Sequence, residues 1–288
     1  MSTKNTDHVR REKEKVSEHY DIDPQVFRSF LDKDMNYSCA YFEEGSEGLD
    51  EAQRRKMDLI AEKIDLCPGD ELLDVGCGWG NALLYYAENY GCRTTGLTIA
   101  ENQAEEIRRK AEERNLAELV TVEVEHYQAA FLTKKNFDAI TFIGSIIHME
   151  DRAGAASLTH DLLKEGGRTL ISETYVPHED AVGDNRASNF IAEEVFGYGN
   201  LITPGQEIRN LEEAGFELLG TQNITDHYVR TIDLWLDRVK NNKKEIDEVS
   251  SGESKKLRTY LTLAQRALKR RTSLQVQILG RKLPDGAG

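Results

Sequence analysis

Apolar residues in the middle of the chain form short continuous runs that are separated by longer, amphipathic stretches. Runs of this length with few polar interruptions predict strands of a sheet that is covered on both faces. The predicted strands are ELLDV (71–75), CRTTGLTI (92–99), LVTVEVEH (119–126), FDAITFIGSI (137–146) and RTLISETYV (168–176).

The stretches between these strands place apolar residues three and four positions apart, which is the spacing of amphipathic helices. The predicted helices cover residues 79–90, 101–115 and 151–167, and the last is expected to end at a glycine pair. Strands that alternate with helices predict an α/β fold with a parallel, doubly wound sheet.

Two further helices are predicted before the sheet, at residues 23–32 and 49–66. Residues 1–20 are polar and charged, and we expect them to form an N-terminal arm. The rest of the chain, residues 21–288, is expected to form a single domain.

Two later segments depart from the alternation. Residues 178–205 are rich in acids, aromatic residues and glycines, and we expect this insertion to form a lid over the C-terminal edge of the sheet. Residues 226–272 are predicted to be helical, and the strand-like sequence SLQVQILGRK follows them.

The composition changes this picture only by excluding classes of partner. A net charge of −14 argues against a general nucleic-acid binder, because phosphate contacts need a basic surface. Residues 255–271 are locally basic, either as a solvated helix face or as a contact for phosphate or a membrane surface. The N-terminus lacks the apolar core of a secretion signal and no run is long enough to span a membrane, so a cytoplasmic location is expected.

The cysteines also argue against two kinds of stabilising group. Cys39, Cys67, Cys77 and Cys92 have neither CxxC nor zinc-type spacing. We therefore expect reduced thiols, without disulfides and without a metal site.

The first strand runs directly into the sequence DVGCGWG, which begins at Asp74. Glycines at such a turn allow a positive φ and a close approach of the backbone to a ligand, and the next helix offers unpaired N–H groups. The GxGxG spacing is not the GxGxxG of dinucleotide sites, and no acid follows at the end of the second strand. Because Asp74 would repel a pyrophosphate, the pattern favours a cationic or zwitterionic ligand such as S-adenosylmethionine.

Several stretches together resemble the cyclopropane fatty acid synthase family, most of all the mycolic acid cyclopropane synthases and their methyltransferase relatives. These stretches are YSCAYFEEG, LDEAQRRKMDLI, LLDVGCGWG, GLTIAENQ and HYVRTIDLW, in the family's order and with nearly the family's spacing. The match extends from about residue 20 to about residue 235. It implies a class I methyltransferase fold, Rossmann-like, with N-terminal helices and an inserted lid.

The resemblance also implies S-adenosylmethionine as the cofactor and carries over a set of binding residues. Tyr37 and Ser38 would contact its methionine end, and Thr98 and Gln103 would lie near its ribose. The remaining expected cofactor residues are Asp74, Gly76, Gly78 and, in place of a Trp-Glu pair that the family uses for the adenine, His126 and Tyr127.

The chemistry that the resemblance implies is alkylation of an alkene. The π bond takes the activated methyl group, and a carbocation forms that aromatic faces can stabilise. In the cyclopropane synthases a bound bicarbonate then removes a proton. Of its ligands, Cys39, the backbone at Ile143 and Tyr228 are matched here.

Two bicarbonate ligands of the family are not matched. The sequence GSIIHME places Ile147 where the family has a glutamate, and either Ser172 or Glu173 stands where it has a histidine. A buried anion needs its hydrogen-bond partners, so these changes should weaken bicarbonate binding. Ring closure is therefore in question, whereas methyl transfer is not.

Four residues are the main candidates for the catalytic site, and a fifth lies in the expected lid. His148 could act as a base or could be a structural histidine, and Cys39 could line the site or fill a buried space. Tyr228 could orient a proton acceptor and stabilise positive charge with its ring. Tyr20 could close over the cofactor, and Tyr198 of the expected lid is a weaker candidate.

The preferred hypothesis is a C-methyltransferase that methylates an alkene carbon of a prenyl or acyl chain, in a lipid or a specialised metabolite. A cyclopropane fatty-acyl synthase and a small-molecule N- or O-methyltransferase are the alternatives within this fold. A binding protein without catalysis is the alternative from another class. The expected partner is a hydrophobic small molecule and not a nucleic acid, and a homo-oligomer is compatible with the charged arm.

Overall fold

A computed structural model of the protein describes residues 23–43, 45, 47–127, 136–181 and 201–284. The expected N-terminal arm, Tyr20, Tyr198 and most of the expected lid (residues 182–200) lie outside the described residues.

The described residues contain a seven-stranded sheet with the strand order β3-β2-β1-β4-β5-β7-β6. The pairs β1–β2, β1–β4, β2–β3 and β4–β5 are parallel, as the alternating pattern predicted. The strands are β1 Glu71–Val75, β2 Arg93–Thr98, β3 Val120–Val124, β4 Phe137–Ile143, β5 Leu163–Tyr175, β6 Phe216–Asn223 and β7 Leu274–Lys282. The chain order reverses between β1 and β4, and ligand sites of open α/β sheets lie at the carboxyl edge of such a point.

The predicted helices of the sheet region are present with small shifts at their ends. The described helices are α1 Pro24–Phe30, α2 Leu49–Ile64, α3 Asn81–Tyr90, α4 Glu101–Glu113, α5 Arg152–Leu162, α6 Pro204–Glu213, α7 Thr225–Asn241, α8 Lys243–Val249 and α9 Glu253–Lys269. Short 3₁₀ turns cover Ile146–His148 and Glu179–Ala181. Helix α3 begins after Gly80 and ends before Gly91, both left-handed, because only glycine adopts that conformation without steric cost.

The prediction that the helix after β4 ends at the glycine pair was wrong. Helix α5 ends at Leu162, and β5 begins at once with Leu163, which pairs with Phe137 of β4. The pairing is then irregular and resumes between Ala139 and Arg168. The glycine pair therefore lies in an irregular strand start, where a Cβ on Gly167 would lie 3.1 Å from the carbonyl oxygen of Asp138.

The residues group into two compact units, each assembled from separate stretches of the chain. One contains residues 57–173, 204–222 and 276–288, and with them most of the sheet. Its core has one cluster that includes Ile60, Ile64 and Leu170 and another that includes Leu83, Ile107 and Val120. The single domain expected for residues 21–288 stays a prediction.

The other unit contains residues 1–56, 174–203 and 223–275. In its described part, α1 and α7 contribute a cluster of aromatic rings. The edge-on ring of Phe30 lies 6.2 Å from Trp235 between centroids, and Phe27 lies 5.5 Å from Tyr37. Trp235 is fully buried, as expected for a core residue.

Candidate functional site

The loop between β1 and α3 carries three glycines with positive φ: Gly76 (74°), Gly78 (52°) and Gly80 (75°). The N–H groups of Gly76 and Cys77 both donate to the carbonyl of Leu97, at 3.0 and 2.9 Å. The loop is therefore fixed to the end of β2, at the carboxyl edge of the sheet.

The three glycines have different surroundings. A Cβ on Gly76 would lie 2.4 Å from the Cβ of Ser145, and one on Gly80 would lie 2.4 Å from a side-chain carbon of Ile107. A Cβ on Gly78 would meet no atom within 4 Å. The outer glycines are thus required by packing, whereas a side chain on the middle one would meet open space that a ligand can enter. This arrangement fits a nucleoside-bearing cofactor.

Asp74 lies at the end of β1 and is buried. Its carboxylate accepts a hydrogen bond from Thr141 Oγ1 of β4 at 2.8 Å. The pKa of the neighbouring Cys77 thiol is raised by its own burial and by the charge of Asp74. The predicted contact of Asp74 with a cationic ligand stays a prediction.

Thr98 and Gln103 are brought together by a hydrogen bond of 2.7 Å between Thr98 Oγ1 and Gln103 Oε1. The N–H of Ala100 donates to the same hydroxyl oxygen at 3.2 Å. Both side chains are buried, at the end of β2 and in the first turn of α4. The bond orients the amide of Gln103 for the role near the ribose that the resemblance implies.

His126 and Tyr127 follow β3 and are both buried. The Tyr127 hydroxyl contacts the carbonyl of Ala155 at 2.7 Å and Thr159 Oγ1 at 2.8 Å. Burial raises the pKa of this phenol. The hydroxyl is thus hydrogen-bonded to α5, so an adenine contact by Tyr127 would have to use its ring.

The turn after β4 is held from both sides. Ser145 Oγ donates to the carbonyl of Val75 at 2.5 Å, and Gly144 N–H donates to the carbonyl of Ser172 at 2.9 Å. Ile147, at 3% exposure, donates its backbone N–H to Glu173 Oε2 at 3.1 Å. The ends of β1, β4 and β5 therefore meet at this turn.

His148 closes the same turn and is half-buried. Its N–H donates to the carbonyl of Ser145 at 3.2 Å, which completes the 3₁₀ turn. Ile143, at the end of β4, pairs with Ser172 of β5. Both residues lie at the carboxyl edge of the sheet, and their chemical roles stay predictions.

In the other unit, the segment with Tyr37, Ser38 and Cys39 is held by α2. Gln53 Nε2 donates to the Ser38 carbonyl at 2.9 Å, and Lys56 Nζ donates to Ser38 Oγ at 2.9 Å. Since the ammonium of Lys56 donates to the hydroxyl oxygen, the hydroxyl proton of Ser38 is directed to a different acceptor. Such a hydroxyl suits the carboxylate end of a ligand.

Cys39 is a buried, neutral thiol. Burial raises its pKa, which the nearby Lys56 lowers only in part. Its Sγ lies 3.2 Å from the carbonyl of Ala40, whose N–H donates to Thr231 Oγ1 at 3.0 Å. The thiol is therefore a hydrogen-bond donor and not a thiolate.

Tyr228 of α7 is half-buried beside the aromatic cluster. Its ring packs edge-on against Trp235, with centroids 6.1 Å apart, and Trp235 in turn lies 5.3 Å from Tyr37. The structure thus groups two predicted site tyrosines around one indole.

Sequence reasoning missed Lys56, which is 1% exposed. A signal was available, because Lys56 falls on the helical stripe of α2 that also holds Gln53, Met57 and Ile60. A lysine in that stripe must be buried with a polar partner.

Among the residues that the structure describes, no group of three His, Cys, Asp or Glu side chains is arranged to hold a metal ion. Within the same ranges, no helix has both the length and the apolar character needed to cross a membrane. All four cysteines lie in described parts of the chain, and each is a free thiol.

The strand order, the glycine loop and the polar edge of the sheet define a class I S-adenosylmethionine-dependent methyltransferase. The family profile described as mycolic acid cyclopropane synthetase matches residues 7–278. The chain belongs to this family.

Individual proteins agree with this assignment. The chain is 35% identical, over 257 residues, to the S-adenosylmethionine-dependent methyltransferase UmaA of Mycobacterium tuberculosis, covering 84% of this chain and 88% of that one. The solved cyclopropane synthase MmaA2 from Mycobacterium tuberculosis superposes with a TM-score of 0.88 at 29% identity, over 94% and 98% of the two chains. The mycolic acid cyclopropane synthase CmaA1, solved in complex with SAH and CTAB, gives 0.88 at 30% identity with the same coverage.

Proposed function

We propose that the protein transfers the methyl group of S-adenosylmethionine to an alkene carbon of a prenyl or acyl chain, in a lipid or a specialised metabolite. The observation that carries the proposal is Ile147. It is a buried apolar residue, and the resemblance of GSIIHME to the family sequence implies that it stands where the family has a glutamate that binds bicarbonate. Methyl transfer does not need that glutamate, whereas ring closure through bicarbonate does.

The cofactor supplies an electrophilic methyl group on a positively charged sulfur. The glycine loop around Gly78 would bind the nucleoside part, and Ser38, whose hydroxyl oxygen accepts from Lys56, would donate to the methionine carboxylate. Gln103, oriented by Thr98, would bind the ribose. These are roles that the local geometry of each segment supports.

An alkene that takes a methyl group becomes a carbocation, and the protein must stabilise it and exclude water. Aromatic faces do so through their negative quadrupole, for about 0.5–2 kcal/mol each. Tyr228 presents such a ring, and its phenol can also orient a proton acceptor. The apolar side chain of Ile147 would help to keep water away.

A cyclopropane fatty-acyl synthase is the second candidate, and one contact favours it. Glu173 brings a carboxylate to the backbone of Ile147, so the turn has a buried acid although the family's glutamate is absent. Relatives with known names include both a methyltransferase and cyclopropane synthases.

The test is product analysis with purified protein and methyl-labelled S-adenosylmethionine. The substrates are oleoyl chains in phosphatidylglycerol vesicles, oleoyl-pantetheine and geranyl diphosphate. We expect a product with a new methyl or methylene carbon and a retained double bond. A product that gains CH₂ and loses its alkene would instead support the synthase, and a label on nitrogen or oxygen would contradict both.

Cofactor binding is a separate readout. Calorimetry with S-adenosylhomocysteine should show a single site per chain. Binding without turnover of any of the three substrates would leave the cofactor site intact and reject the proposed substrate class.

A further inference from the structure

We propose that Glu173 is a catalytic residue that takes the proton from the methylated carbocation. The proposal rests on the proposed function, because only methylation of an alkene produces such a cation. The carboxylate would come from the end of β5, one strand away from the turn that carries the family's glutamate.

Glu173 is the residue after Ser172, whose carbonyl accepts the N–H of Gly144, so it lies at the carboxyl edge of the sheet. Its Oε2 accepts the N–H of Ile147 at 3.1 Å. The same turn contacts the cofactor loop, since Ser145 bonds to the Val75 carbonyl and fills the space beside Gly76. Glu173 and the glycine loop therefore hold opposite sides of one short turn.

Glu173 is 3% exposed, and a carboxylate can be buried to this degree only when hydrogen bonds or charges compensate for its lost hydration. The Ile147 N–H is a donor to Oε2 and helps to fix the direction of the group. A carboxylate held in this way is pre-organised toward a cation, which it also stabilises by charge.

When the π electrons form the bond to the methyl carbon, the electrons of the broken C–S bond leave with the sulfur, and the chain carries one positive charge. A C–H bond on a carbon next to the cationic carbon then breaks, and its electrons form the new C=C bond. If a C–H bond of the transferred methyl group breaks instead, its electrons form the third bond of a cyclopropane ring. In either case the proton goes to an Oε of Glu173, which becomes a neutral acid.

Ile147 and Glu173 together explain how the turn after β4 can lack the family's glutamate and still have a carboxylate beside it. The residue that would bring a carboxylate from the turn is apolar, and a carboxylate from the neighbouring strand reaches the backbone of that same residue. The site thus retains an acid at the turn without the bicarbonate ligand.

The decisive variant is Glu173→Gln. Glutamine retains an oxygen that accepts the Ile147 N–H but cannot take a proton, so the turn should stay intact. Positioned bases contribute about 10²–10⁴-fold to proton transfer. We expect the rate of formation of the deprotonated product to fall by about 100-fold, and methylated alcohol, formed when water captures the cation, to become the main product.

The assay uses the three alkene substrates named above with trideuteromethyl-labelled cofactor. Mass analysis then shows whether the product retains three deuterons, so that the proton left the chain, or two, so that it left the methyl group. Thermal melting and S-adenosylhomocysteine affinity of Glu173→Gln should match those of the wild type. Glu150→Gln, which removes an exposed carboxylate near the same turn, is the matched control and should leave the products unchanged.

Glu173→Ala separates catalysis from structure. If Glu173→Gln keeps the wild-type product ratio while Glu173→Ala lowers stability, Glu173 is only an anchor for the turn and the proposal is overturned. If both variants keep the ratio, it is also overturned. If the wild type methylates nitrogen or oxygen, the proposed function itself fails, and the requirement for a base at this carbon disappears with it.

Discussion

The glycine loop after β1 and the turn after β4 adjoin each other through Ser145, yet they differ in how they relate to sequence. Residues 76–80 keep the family pattern. The positive φ and the space beside each glycine explain why glycine occurs at these positions. Residues 144–149 depart from the pattern, and their polar partner comes from another strand. The glycine loop is therefore encoded locally, whereas the proposed proton transfer would depend on a contact between residues that are distant in the sequence.

The largest effect is expected from changing the glycine loop. In Gly76→Ala the new Cβ meets Ser145, and overpacking of this kind costs about 1–3 kcal/mol in addition to about 1–2 kcal/mol for the left-handed backbone. We expect a lowered melting temperature and loss of measurable S-adenosylhomocysteine binding by calorimetry.

Gly78→Ala is the control within the same loop. It has the backbone cost but meets no protein atom, so stability should fall less. Its affinity for S-adenosylhomocysteine should nevertheless fall at least about 10-fold, or about 1.4 kcal/mol, because the methyl group enters the cofactor's space. Wild-type affinity in Gly78→Ala would show that the cofactor does not use this opening.

Restoring the family's glutamate should test the other side of the comparison. Ile147→Glu places a second carboxyl beside Glu173, and like charges at short distance raise the pKa of one of them. We expect lower stability than in Ile147→Gln, measured by denaturant unfolding, and product formation that now depends on added bicarbonate. If bicarbonate has no effect, position 147 is not equivalent to the family's glutamate.

Lys56→Met should give a smaller effect on cofactor binding. The variant retains the apolar stem and removes the donor to Ser38 Oγ. Hydrogen bonds to charged groups contribute about 1.5–3 kcal/mol, so we expect about a 10-fold weaker S-adenosylhomocysteine affinity. When Ser38→Ala is already present, adding Lys56→Met should weaken the S-adenosylhomocysteine affinity little further. If the two changes were fully additive, Lys56 would act through a residue other than Ser38.

The smallest effect is expected for His227, which accepts the Phe42 N–H at Nδ1 (3.0 Å) and stacks on Tyr41. Burial lowers its pKa below the ordinary 6.5, and Arg230 also lowers it, against the opposite effects of Asp226 and Glu47. The unfolded chain therefore binds more protons near pH 6. The free energy of unfolding should fall as the pH drops below about 6.5, because that is where unfolded histidine takes up its proton.

His227→Asn is the control for this pH dependence. Its Oδ1 can still accept from Phe42, but it does not titrate between pH 5 and 8. The stability difference between wild type and variant, measured by urea unfolding across this range, should shrink toward acid pH. A constant difference would assign the pH dependence to other groups.

The alternation of strands and helices could be predicted because each buried strand is a continuous apolar run, as in Phe137–Ile143. The start of β5 could not, since Leu163 becomes a strand residue only by pairing with Phe137. The glycine pair suggested a helix end there, but pairing with β4 made these residues part of a strand. Turn chemistry of this kind is set by tertiary pairing.

The site divides in the same way. The glycines could be predicted from one short contiguous motif, and Thr98 and Gln103 from another, while their roles in the site stay predictions. The partner of Ile147 was not, because Glu173 is 26 residues away and its direction depends on the pairing of β4 with β5. Lys56 was overlooked although its helical spacing placed it among buried positions.

The hydrogen bond between Ile147 and Glu173 has a consequence for how related genes are compared. A relative with an aliphatic residue at the position of Ile147 would be judged to lack the acid if that alignment position were examined alone. We expect positions 147 and 173 to vary together, with an acid at the end of β5 wherever the turn after β4 has an aliphatic residue. Sorting relatives by this pair of positions would separate enzymes whose carboxylate comes from β5 from enzymes that have no carboxylate at either position.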